Sequence, residues 1–195
     1  MPRAGLNPAI VAQTAAEIAD ADGWDHLTLA TVASRLEVRQ PSLYKHVGSL
    51  AALRRAVSLL ALSELSERLK RAVAGRAGTD ALKHAADEYR AYAHEHPGQY
   101  AASVVAPVDE DEEHQRVSQD ILATLGAILR GYGITEEASD AVAVHEIRSL
   151  RALLHGFVTL ESSGGFALAV DLDESFDYLV KGFDEALRVR TSAQP

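Results

Sequence analysis

The chain of 195 residues has no cysteine, so neither a disulfide frame nor a thiolate metal site is open to it. Aromatic residues are scarce at 6%, with a single Trp, and no apolar run approaches the length of a membrane span. The N-terminus lacks the basic-then-apolar order of a secretory signal. Together these absences predict a soluble, cytoplasmic protein with no membrane partner. Strand-like alternation of apolar and polar residues persists nowhere, and there is no internal repeat or low-complexity segment. What is present is a composition 47% hydrophobic and rich in Ala and Leu, which favours packed helices over sheet. The predicted fold class is all-α, with about nine helices and length enough for a sizeable core.

The net charge of −9 argues against bulk affinity for nucleic acid, but the distribution matters more than the sum. Residues 1–76 carry +3 and residues 77–195 carry −12, while 35–76 alone holds nine basic against three acidic residues. An acidic bulk repels phosphate everywhere except at one basic face.

That face contains the segment from Thr28 to Val47. Leu29, Val32, Ala33 and Leu36 form one apolar stripe on a helix, with Thr28 placed as its N-cap. Pro41 suits the first turn of a second helix, whose Leu43 and Val47 face inward. Arg39, Gln40, Ser42, Tyr44, Lys45 and His46 are left outward or at the helix start. This is the arithmetic of a helix-turn-helix offering its second helix to a DNA major groove. Gln40 can pair with an adenine edge and Arg39 with a guanine edge. Pro41 and Tyr44 can meet thymine methyls, although the Tyr44 ring is equally suited to bracing the helix pair. Arg3 could reach a minor groove as an arm; a disordered terminus is the commoner case.

Around this segment, Asn7-Pro8 opens a first helix and Gly23 closes it, with Trp24 and Leu27 packing beneath the motif. Ser49 caps a long helix that runs to about Gly75, and Gly75-Arg76-Ala77-Gly78 is a hinge. Further helices are expected at about 79–95, 98–105, 110–130, 135–162 and 173–189. The expected organisation is a three-helix DNA-binding domain at 1–48, then a C-terminal helical domain at 49–195.

The segment L-T-L-A-T-V-A-S-R-L-E-V-R-Q-P-S-L-Y-K-H-V, above all Q-P-S-L-Y-K-H-V at 40–47, closely resembles the DNA-binding domain of TetR-type transcriptional repressors. L-L-H-G-F-V-T-L-E at 153–161, G-G-F at 164–166 and D-E-S-F at 173–176 resemble the subgroup whose effector domain carries a Trp/His-Gly signature. Three positions depart from the family pattern. Glu37 stands where the turn usually has Gly, and if that position needs positive φ the strain is ~1 kcal/mol. Leu50 replaces a phosphate-holding Lys, a loss that Arg54, Arg55 or Lys45 could offset. The Trp ahead of Leu-His-Gly is absent, with Arg151 in that neighbourhood.

The resemblance implies that Thr28, Ser42, Lys45 and His46 bind phosphate, and that the chain is a ligand-responsive regulator on a double-stranded DNA operator. It implies a homodimer built on Val144, Ile147, Leu150 and Leu154 from one helix and Phe176, Leu179, Val180 and Phe183 from the last. Ordinary monomer core explains the same two stripes. An unidentified small-molecule effector, with no other cofactor, is expected in the middle of the chain. Its weak candidate contacts are His84, Tyr89, Tyr92, Tyr100, His155 and Phe157, each more commonly a packed or surface residue.

An enzyme is the rival class, through His94, Glu95, His96, His114 and the acidic run at 109–113. H-E-H is not the H-E-x-x-H of zinc proteases, and neither a phosphate loop nor a nucleophile elbow is present. No metal site and no catalysis are therefore expected. A metal-sensing regulator of the same fold, or an activator in place of a repressor, stays open.

Overall fold

The computed structural model describes residues 5–104, 111–134 and 141–192. Among them lie nine α-helices and no strand: α1 Pro8–Asp22, α2 Leu29–Arg35, α3 Gln40–Leu43, α4 Leu50–Val73, α5 Gly78–Glu95, α6 Pro97–Ser103, α7 Glu112–Arg130, α8 Ala141–Ser162 and α9 Leu172–Ser192. A 3-10 turn at Trp24–His26 joins α1 to α2. Local side-chain signals mark the helix starts. The side chain of Asn7 accepts from Ile10 N–H at 2.9 Å, and that of Ser49 from Ala52 N–H at 3.0 Å. Pro97 is the first residue of α6, not a stop before it, because a proline at N1 gives up no hydrogen bond. The helix expected from 110 begins at Glu112, where Asp111 accepts from His114 N–H at 3.1 Å. The start expected at 135 lies outside the described residues.

The chain divides into two compact units, Met1–Leu65 with Glu95–Val117, and Ser66–His94 with Ser118–Pro195. The first reaches well past residue 48, taking in the start of α4 and all of α6. Packing explains why. Val11, Ala15, Ile18, Leu27, Val32, Leu43, Leu53 and Val57 form one buried cluster, and Ala102 of α6 belongs to it. Gly98 allows α6 to lie directly on the end of α1, since a Cβ there would sit 2.0 Å from the Ala19 backbone. Asp20 then accepts from Gln99 N–H at 2.8 Å and from its side-chain amide at 2.7 Å, which caps the N-terminus of α6.

In the second unit the core is Leu82, Ala85, Ala86, Tyr89 and Tyr92 of α5, Ile128 and Leu129 of α7, Leu150, Leu154, Phe157 and Val158 of α8, and Phe176, Val180, Phe183 and Leu187 of α9. A buried carboxylate, Asp184, is satisfied by donors from three elements: Thr79 Oγ1 and Tyr132 OH, both at 2.5 Å, and Arg188 Nε at 3.0 Å. Burial and this carboxylate push the Tyr132 phenol well above its usual range.

Substituting Gly98 by Ala should cost about 3 kcal/mol or more, because the methyl meets backbone that cannot rotate away. Gly48→Ala, with nothing within 4 Å of the added Cβ, should leave the urea midpoint nearly unchanged. Equal midpoints for the two variants would contradict the close approach of α6 to α1.

Candidate nucleic-acid interface

The turn joining α2 to α3 is built by three local devices. Thr28 caps α2: its hydroxyl oxygen accepts from Thr31 N–H at 3.1 Å, and Thr31 Oγ1 accepts in return from Thr28 N–H at 3.1 Å. The Thr28 O–H donates in turn to Thr31 Oγ1 at 3.2 Å. At the other end of α2, Val38 N–H bonds Ala33 O at 3.0 Å, which requires Glu37 at φ 54°. The strain expected at Glu37 is therefore present. Finally α3 opens from an extended Arg39 with Pro41 in its first turn.

Burial separates the two faces of 39–47. Leu43 is fully buried and Val47 nearly so, and each such side chain contributes about 1.5–3 kcal/mol by leaving water. Thr28, Arg39, Gln40, Pro41, Tyr44 and Lys45 are exposed, while Ser42 and His46 are half-buried. Tyr44 is 51% exposed, so its ring is not enclosed in the helix pair. Of the cations that could replace a Lys at Leu50, two are engaged within the protein. Arg54 lies over the Trp24 ring at 5.3 Å. Arg55 grips Asp111 through two bonds of 2.5 and 2.6 Å and Glu113 at 3.1 Å. Lys45 remains exposed beside α3.

The remaining sequence candidates scatter. Tyr89, Tyr92 and Phe157 are core of the second unit, and Tyr100 is buried in the first. His84 is bonded at the surface to Asp80 O at 2.8 Å, and His155 is half-buried. None of the six lines the open cleft of about 390 Å³ that the second unit carries between α5 and α9. Its walls are Asp87, Arg90, Ala91, His94, Asp173, Phe176 and Asp177. There Arg90 Nε bonds Glu161 at 2.9 Å and Nη1 meets Asp173 at 2.8 Å, with the guanidinium 4.9 Å above the Phe176 ring. These contacts raise the Arg90 pKa, and Arg90 in turn lowers that of Glu161. Sequence reasoning missed Arg90 because Glu161 and Asp173 lie more than seventy residues away. Of the partner-surface candidates, Leu150, Leu154, Phe176, Val180 and Phe183 are buried within the chain itself, Ile147 and Leu179 are half-buried, and Val144 is 47% exposed. Helix period brings core residues and interface residues onto one stripe, and hydrophobicity alone cannot separate them. The apolar surface left on α8 and α9 includes Leu153, Leu160, Tyr178 and Val189.

The histidines named for an enzyme or metal sensor each have a separate partner. His94 bonds Glu161 at 2.8 Å, His96 bonds Asp20 at 3.0 Å, and His114 meets Ser58 Oγ at 3.2 Å. No group of three metal-binding side chains forms among the described residues.

Comparison with known proteins places the chain among transcriptional regulators. The family described as "Tetracyclin repressor-like, C-terminal domain" matches residues 82–183. The uncharacterized HTH-type transcriptional regulator YobS of Bacillus subtilis is 33% identical over 188 residues, 96% of each chain. The uncharacterized HTH-type transcriptional regulator Rv0681 of Mycobacterium tuberculosis is 35% identical over 190 residues, 97% of this chain and 85% of its own. Among solved structures, BioQ with its double-stranded DNA operator superposes with a TM-score of 0.68 at 20% identity, covering 94% of this chain and 98% of that one.

The Arg55–Asp111 pair generates a pH test. Arg55 holds the Asp111 carboxyl at a pKa of about 2, below its usual value, so its contribution to stability is complete above pH ~4 and fades as pH falls towards 2. The gap in urea midpoint between the wild type and Asp111→Asn should therefore be widest near neutrality and close with acid. A gap constant with pH would contradict the pairing.

Proposed function

Because this chain belongs to the TetR-type family of helix-turn-helix transcriptional regulators, we propose that it is a repressor that binds a palindromic operator as a homodimer and leaves when a small molecule occupies its C-terminal unit. The observation that carries the reading is the division of 39–47, with Leu43 and Val47 locked in the core and Arg39, Gln40, Tyr44 and Lys45 facing solvent. One such head covers too few base pairs to be selective, and pairing two heads on a two-fold site supplies the rest. The exposed apolar residues of α8 and α9, Val144, Leu153, Leu160, Tyr178 and Val189, support a second copy as the partner. The α5–α9 cleft, with Arg90 over an aromatic wall, supports a small polar effector. The site of action is the cytoplasm, with the DNA; among the described residues no helix is long and apolar enough to cross a membrane.

Base readers and phosphate binders make different predictions on an operator selected from a random duplex pool. Gln40→Ala should cost roughly 1–3 kcal/mol on that operator and relax one base position. Lys45→Ala should weaken every duplex alike and reduce the slope of log K against log salt by about one. If Gln40→Ala lost equally on operator and random duplex, its base-reading role would be wrong.

A further inference from the structure

Between Asp25 and Glu64 the chain carries Arg35, Arg39, Lys45, Arg54 and Arg55 but a single carboxylate, Glu37. In a protein with 28 Asp and Glu against 19 Lys and Arg, this stretch is almost cleared of negative charge. The exception stands at the least comfortable backbone position. Glu37 has φ 54° and is the one non-glycine residue with positive φ among those described. The turn imposes that angle, since Glu37 N–H reaches Ser34 O at 3.1 Å while Val38 N–H reaches Ala33 O at 3.0 Å. Glycine closes such a helix end without strain. A strained residue persists where the surroundings hold it in place, and such residues cluster at functional positions.

Position gives the carboxylate something to act on. Glu37 is exposed, and two peptide units separate it from Arg39. Those units hold the two Cα atoms at most about 7 Å apart, and with the side chains added the charges stay within about two screening lengths of ~8 Å each at physiological salt. Whatever field Arg39, Lys45 and the start of α3 present to phosphate, Glu37 subtracts from it. That subtraction is the same for every duplex, because the phosphate charge carries no sequence.

We propose that Glu37 determines specificity by subtraction: its carboxylate lowers the affinity of the reading head for any duplex, so that occupancy depends on base contacts made by Arg39 and Gln40. The inference rests on the reading of 28–49 as a DNA-binding head. It explains why a strained acidic residue occupies a turn that glycine would close more comfortably.

The test uses the full-length protein and a random-sequence duplex, with binding followed by fluorescence anisotropy across a salt series. Glu37→Gln keeps the side-chain shape and the strain but removes the charge; Glu37→Gly removes both. At about 50 mM salt both variants should bind random duplex roughly three- to tenfold tighter than wild type. The gain should shrink towards unity as salt rises to about 300 mM. Only Glu37→Gly should also raise the melting temperature. Unchanged or weaker binding by Glu37→Gln would overturn the inference, as would a gain confined to Glu37→Gly, which would trace the effect to the backbone. If wild type and both variants all fail to bind duplex at low salt, the DNA-binding reading itself falls, and the inference with it.

Discussion

A helix of four residues cannot hold its own shape in water, because forming one turn fixes several backbone angles for very few hydrogen bonds. The protein depends on solving that problem for α3. The solution is burial: Leu43 and Val47 enter a core assembled from α1, α2, the start of α4 and α6. The exposed side chains of 39–46 thus stand on a buried frame. Preorganisation of this kind spares an interface part of the ordering cost of binding.

The same frame explains why the first compact unit is discontinuous in sequence. Without α6, Ala102 would leave the core and the carboxylate of Asp20 would lose both of its Gln99 donors. Beside it, Ser58 donates to Ala102 O at 2.8 Å and also meets His114 Nε2, so α4, α6 and the first turn of α7 share one buried hydroxyl. Arg55 with Asp111 adds a second tie one helical turn away. These polar ties add to the apolar contact that Ala102 of α6 makes with the core.

Local chemistry was legible in the sequence wherever one turn of chain carries the whole signal. Asn7, Thr28 and Ser49 cap the helices they precede, the inward direction of Leu43 and Val47 follows from spacing, and Glu37 has the φ that its place in the turn demands. Long-range facts were not legible. Nothing near Gly98 announces that it touches Ala19, and nothing near Arg90 announces Glu161. The stripes on α8 and α9 suit a partner surface and ordinary core alike, and most of their residues are buried in the chain's own core, because a helix face shows only that it is apolar and not what covers it. The cleft residues escaped for the same reason as the ion pairs: their convergence is a property of the fold.

Duplex DNA should meet the outward face of the α2–turn–α3 head while the frame beneath it keeps its structure. Amide chemical-shift mapping of the full chain during titration with duplex tests this residue by residue. Large shifts are expected at Thr28 and across 39–49, with small ones at Ala15, Ala102 and His114 in the frame. Shifts centred on α8 and α9, or spread evenly through the first unit, would contradict it.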